Sequence, residues 1–494
     1  MAIIRLKRAR NSLLNVSKLP SEILGEIFCQ NVALEGPFGP LEKRSHNFLF
    51  VCHHWFGVAS DTPGIWAFWG NHLEDWMKRY LQHPTAPLDL ILNGGESCST
   101  GVTLDDSLRS ALKDRAARDT IRRIHLTAED SETVNSIISS LAGCEGIQSS
   151  SVESIILRFQ FESLEASDFF AYYRFPKLQL LNLYNCTIPS WDLKASILTN
   201  FALDGSLSSP TIPSFQILSI LRSNPLLQEL SLGRCAIPDD GGDRSPRVSL
   251  VHLRDLKLTG RLQDVFTLLH QLDYPANTGS LSLNLWDSRV QDISGIIGPF
   301  LRDYFRRRRR SEYGLKLLLY SQYKIGLSIM DLGLGESGRY AKIVIRLGRT
   351  PPQDFSVEVL LDLIAFLPRE EITLFATHSF PVPMEAISAK LPYLKVIVIE
   401  WIALHIAFSK SNVDQDEVFP SLDYMRINLY QGATRFGEWE PLTTFLGRLA
   451  SSGNRLDTLE VLGDYLMGSE VEERIRGVVR KLIVRGDDES ETSE

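Results

Sequence analysis

The sequence predicts an α/β chain in two parts: a short all-α module, followed by a curved solenoid with parallel strands on its concave side and helices on its convex side. Three observations lead there. Large apolar residues fall at helical spacing between Leu19 and Trp66. From Ile121 onward, apolar triplets of the form LxxLxL recur about every 28 residues. At 494 residues the chain is also too long for one compact core, which suits a repeat array.

Residues 1–16 carry Arg5, Lys7, Arg8 and Arg10 but no continuous apolar run. That argues against a secretory signal and reads as a basic, disordered segment, with a mitochondrial transit peptide as the other reading. Residues 17–70 form the helical module. Pro20 suits a first helical turn, where its missing N–H is no loss. Ile23, Leu24, Ile27 and Phe28 then share one face, with Glu22 and Glu26 on the other. Phe48, Val51, Cys52, Trp55 and Val58 repeat the spacing and predict a second helix. Thr62 before Pro63 starts a third, carrying Ile65 and Trp66. Three short helices cannot bury all these side chains among themselves, so apolar surface is left for a partner.

This order of residues, LP with an acid and an apolar quartet, then VCxxW, then TPxxW, resembles an F-box. It is most similar to the divergent form common in mushroom-type fungi. The resemblance implies that the module lies in a groove of a Skp-type adaptor bound to a cullin scaffold. It assigns adaptor contact to Leu19, Pro20, Ile23, Leu24, Ile27, Phe28, Val51, Cys52, Trp55 and Trp66. The join EGPFGPLEKRSHN is longer than the family's pattern. The other reading is a helical cap that uses the same residues as core.

Residues 71–120 connect the module to the repeats, and APLDLILNG from Ala86 to Gly94 reads as a first strand. The repeats occupy 121–485. FPKLQLLNLYNCTI places Leu178, Leu181, Leu183, Cys186 and Ile188, and NPLLQELSLGRCAI places Leu227, Leu230, Leu232, Cys235 and Ile237, in the leucine-rich signature. Weaker copies start at Ile121, Val152, Leu198, Leu253, Leu394, Leu422 and Leu456, with degenerate ones near 280, 314, 340 and 369. Runs such as SFQILSILRSNP, QDVFTLLHQLD, SVEVLLDLIAFLP and EPLTTFLGRLASSG read as the helices between strands. Each coil completes its core only against its neighbours. Cys186 and Cys235 read as structural, hydrogen-bonding the turn after the strand. The order of module and repeats resembles F-box proteins with leucine-rich repeats, which implies that the solenoid binds a target protein. The tail GDDESETSE, 486–494, is acidic, lacks apolar residues and reads as disordered.

A net charge of -8 gives no reason to expect nucleic acid, and no apolar run approaches a membrane span. The six cysteines, Cys29, Cys52, Cys98, Cys144, Cys186 and Cys235, form no CxxC pair and read as reduced thiols in cytoplasm or nucleus. His53 and His54 lack ligand spacing, so no metal or cofactor is implied. Gly333, Gly335 and Gly338 spell GxGxxG, but a strand-like run follows where a phosphate site needs a helix. The run Arg306 to Arg310 reads as a solvated loop, with a nuclear localisation signal or a patch for an acidic partner as alternatives.

Strand side chains alternate faces, which puts Tyr184, Lys257, Trp286, Tyr320, Arg346 and Arg426 outward as a candidate target-docking strip. Local packing is the other reading for Trp286 and Tyr320. The function expected is a non-enzymatic, substrate-recruiting subunit of an SCF-type ubiquitin ligase. The alternative is an interaction scaffold without ligase role, with a leucine-rich-repeat GTPase activator as a more remote one.

Overall fold

The computed structural model describes residues 18–34, 51–66, 68–69, 88–93, 120–128, 151–159, 164–165, 175–187, 197–205, 214–233, 247–275, 279–286, 293–307, 313–321, 324–332, 342–348, 357–378, 384–400, 419–429, 439–463 and 468–485. The basic segment 1–16, Phe48, Cys235, the GxGxxG glycines and the acidic tail lie outside the described residues. The chain divides into two compact units, one of residues 1–238 and 248–252, the other of 239–247 and 253–494.

The first unit opens with helix α1 (Ser21–Leu34) and helix α2 (His53–Asp61), then a 3-10 turn at Pro63–Trp66. Two details differ from the expected helices. Cys52 is extended and caps α2, its thiol accepting from the Trp55 amide at 3.5 Å, so Val51 sits in the preceding turn and not on the helix. Thr62 is extended as well and ends α2, which leaves Pro63–Trp66 room for a single 3-10 turn, closed by Ile65 N–H donating to the Thr62 carbonyl at 3.2 Å. Strands follow as β1 (Phe68–Trp69), β2 (Leu88–Asn93), β3 (Ile121–Ala128), β4 (Ser154–Phe159), β5 (Leu164–Glu165), β6 (Leu180–Tyr184), β7 (Cys186–Thr187) and β8 (Asn200–Asp204). Helix α3 (Ser214–Ser223), β9 (Glu229–Gly233) and β10 (Val248–Ser249) complete the unit.

Strands β1, β2, β3, β4, β6, β8 and β9 pair in that order and always in parallel. β2 is the strand expected between Ala86 and Gly94. The register stacks Leu90, Ile124, Ile155, Leu181, Phe201 and Leu230 as one buried ladder. Leu126, Leu157, Leu183, Leu203 and Leu232 make a second. The leading residues Val152, Leu178, Leu198 and Leu227 are buried too. A triplet thus spends all three apolar positions on one side of the strand, where the register sets the triplets of adjacent strands beside it.

The second unit runs β11 (Asp255–Arg261), α4 (Leu262–Gln271), β12 (Leu272–Asp273), β13 (Ser280–Trp286) and α5 (Gly298–Arg306). It continues through β14 (Tyr313–Ser321), β15 (Lys324–Asp331), β16 (Lys342–Gly348), α6 (Val357–Ile364), β17 (Ile372–His378), α7 (Met384–Lys390), β18 (Val396–Glu400) and β19 (Tyr424–Asn428). Helix α8 (Glu440–Ser451), β20 (Thr458–Leu462), α9 (Ser469–Val478) and β21 (Lys481–Arg485) end it. The four runs read as helices form α3, α4, α6 and α8. α4 buries Leu262, Val265, Phe266, Leu268 and Leu269, a single apolar face.

Here the strand order corrects the expectation of coils stacked in chain order. β13 pairs with β16, β16 with β15, β15 with β14, and β14 with β17, after which β17 to β21 pair successively. All pairings are parallel except the two made by β15. The cause is the short link from Ser321 to Lys324, which permits only an antiparallel return, since a parallel neighbour needs a crossover of a dozen residues or more. β16 then adds on the far side of β15, and α6 carries the chain back to the free edge of β14.

Candidate functional site

The helical module divides its apolar quartet. Leu24 and Phe28 are buried, whereas Ile23 and Ile27 are 51% and 45% exposed. The four residues span an arc wide enough for the edge of the core to cut through it. The Phe28 ring lies 5.1 Å from that of Trp55, which fastens α1 to α2. Gly25 permits the close approach: a Cβ there would stand 2.7 Å from the Thr62 hydroxyl oxygen. Of the remaining expected contact residues, Pro20 and Val51 are exposed and Leu19, Cys52 and Trp55 half-buried, while the side chain of Trp66 lies outside the described residues. Phe56, not expected from the sequence, is also exposed.

A groove of about 560 Å³ between α1 and α2 is lined by Glu22, Gly25, Glu26, Cys29, His53 and His54, among others. Burial and the nearby Glu26 carboxylate raise the Cys29 thiol pKa, so the thiol stays protonated. Among the described residues no group of three or more His, Cys, Asp or Glu converges to hold a metal ion.

The outer faces of the strands carry Tyr184, Lys257, Trp286, Arg346 and Arg426. In the first unit Arg158 lies over the Tyr184 ring at 4.4 Å, and the register sets Asp204 on the next strand beside Tyr184. One row back, His125 is buried, and burial together with the charge of Arg158 lowers its pKa to about 4. Asp89, 3.5 Å from Arg123, is raised by burial despite that partner.

In the second unit, β11, β13 and β16 bring Lys257, Arg346 and Trp286 onto three successive rows of one patch. Lys257 faces Ser282, Asn284 faces Arg346, and Trp286 stands between Arg261 and Gly348. Lys257 is exposed, and Trp286 and Arg346 are half-buried. Tyr320 belongs to β14, with its side chain outside the described residues. Val344 and Ser328, on the same face nearby, are buried, so the patch is not open throughout. Arg426 on β19 is five strand steps from β16, about 24 Å at ordinary strand spacing, and does not join it. It belongs to a cluster the sequence reading missed, with Tyr424, Glu460 and Arg485. The Arg run begins at the end of α5, where Arg306 lies 3.7 Å from Asp303 and Arg307 is exposed.

The chain matches no protein-family model and no curated protein. Among the described residues, no helix is long and apolar enough to cross a membrane.

Proposed function

We propose that the chain is a non-enzymatic substrate receptor of an SCF-type ubiquitin ligase, working in cytoplasm or nucleus. In this reading the N-terminal module sits on a Skp-type adaptor that carries the cullin scaffold, and the outer sheet face holds a target protein. The observation that supports it most is the divided quartet on α1. Here Leu24 and Phe28 secure the fold, while Ile23 and Ile27, one turn apart, remain half exposed beside an exposed Pro20. An apolar pair at helical spacing is what a partner's hydrophobic groove takes up. The stacked apolar ladders support the leucine-rich-repeat-like reading of the rest.

Ile23→Lys together with Ile27→Lys tests the reading. Each isoleucine contributes roughly 1.5–3 kcal/mol when fully buried. The double variant is therefore expected to lose adaptor binding by about 30-fold or more, since 1.4 kcal/mol is tenfold. Its melting temperature should stay near wild type, because neither residue is core. Undiminished co-purification of adaptor with the double variant, or none with wild type, would sink the reading.

A further inference from the structure

We propose that the outer face of β19, β20 and β21 is an anion-binding site for an acidic segment of a partner protein, built by Arg426 and Arg485 around the buried carboxylate of Glu460. This deepens the reading of the sheet as the target-holding surface and rests on it.

Glu460 is 6% exposed although it lies on the outer, polar side of the sheet. The register sets it directly opposite Arg426 on one side and Ile483 on the other, so Arg485 reaches back one row to meet it. Three groups hold the carboxylate. The Tyr424 hydroxyl donates to it, and the Arg426 and Arg485 Nε atoms stand at 3.8 and 3.4 Å. The Arg426 Nε also donates to Asn428 Oδ1 at 3.2 Å.

Both arginines thus approach Glu460 by way of Nε. Neither terminal Nη pair makes a hydrogen bond among the described residues, and each side chain stays 43% exposed. Two arginines thus face a single described carboxylate. The other arginine pairs nearby are closed one to one through their terminal nitrogens: Arg474 with Glu440 at 2.9 Å and Arg480 with Asp457 at 2.8 Å. What remains open at Glu460 is a pair of planar donor forks, Arg426 tied to Asn428 and both arginines drawn to one carboxylate. Such forks match carboxylate or phosphate oxygens. The ligand chemistry is therefore a side-chain carboxylate or a phosphate on an acidic peptide.

Three fluorescent peptides of one backbone sequence distinguish these sources: one glutamate-rich, one with phosphoserine at the same positions, and one with glutamine. Titrated with the full chain, the glutamate or the phosphoserine peptide is expected to bind at least tenfold tighter than the glutamine peptide, and to weaken as salt is raised. Whichever binds tighter names the source. Arg426→Gln and Arg485→Gln should each weaken that binding about tenfold, in line with a lost charge-assisted hydrogen bond. Arg485→Lys keeps the charge beside Glu460 and should melt like wild type, yet lose about as much affinity, because an ammonium lacks the fork. Equal binding of all three peptides, or wild-type affinity in the lysine variant, overturns the proposal. Adaptor co-purification, read on the same proteins, reports on the receptor assignment separately, since none of these residues belongs to the helical module.

Discussion

Leu183 and Asn182 are neighbours in sequence and opposites in environment. Leu183 is fully buried between Leu157 and Leu203, and Asn182 is half-buried on the outer face. Leu183→Asp places an unpaired carboxylate in that ladder and is expected to cost more than about 4 kcal/mol, while Asn182→Asp should stay within about 1 kcal/mol. Limited proteolysis and thermal melting of the two variants check this, and a more fragile Asn182→Asp would mean the register is wrong. His125 offers a pH test. Its pKa is lowered from 6.5 to about 4, so below pH 6.5 the unfolded chain takes up a proton that the folded chain refuses. Stability from this group is therefore present at neutral pH and lost as pH falls toward 4, by about 2 kcal/mol between pH 7 and 5. The raised pKa of Asp89 acts in the opposite direction, so the comparison is with a His125→Gln variant, whose melting temperature should fall less over that interval.

At the level of elements, the reversed order of β14, β15 and β16 is the feature most open to a direct check. Register partners on adjacent strands stand close enough for a disulfide, which spans Cα separations of roughly 4.4–6.8 Å. Asn284→Cys with Arg346→Cys joins partners on β13 and β16 and is expected to cross-link under mild oxidation. Asn284→Cys with Leu318→Cys would be the pair for strands stacked in chain order, and should not. Mass spectrometry of the digested protein reads both, and the reverse result would restore simple coil order. The same segment shows why a repeat period misleads locally. Leu315 and Ile345 each face inward at the expected spacing, so periodicity is satisfied by either order, and only the short Ser321 to Lys324 link selects between them.

For the whole molecule, the proposed adaptor and target surfaces lie in different compact units, the isoleucine pair in the first and the Lys257, Trp286 and Arg346 patch in the second. Their effects should therefore separate. Trp286→Ala with Arg346→Ala is expected to reduce capture of the main co-purifying target at least tenfold and leave adaptor binding unchanged, as loss of clustered Trp and Arg anchors does. Ile23→Lys with Ile27→Lys should do the converse. Quantitative co-purification from cells expressing each variant measures both, and a variant that lost both partners without unfolding would contradict the division of labour.

Much of this was legible in the residues alone. A strand stands at each LxxLxL triplet, because burying two alternate side chains and the leading one imposes that pattern, while β15 and β21 stand where no triplet is read. The helices between them follow from their own 3.6-residue period, and Pro20 and the apolar quartet place α1. Tertiary structure decided the rest, since it turns on what lies beside a residue and not on what precedes it. Whether Ile23 faces solvent while Leu24 does not depends on where α2 packs across the helix. Whether β14 or β16 lies against β13 depends on a hairpin that the spacing does not register. Glu460, an acid within an apolar strand, reads by itself as an outward, solvated residue. In the fold it is buried, with Tyr424 and Arg426 on one neighbouring strand and Arg485 on the other, residues distant in sequence, converging on its carboxylate.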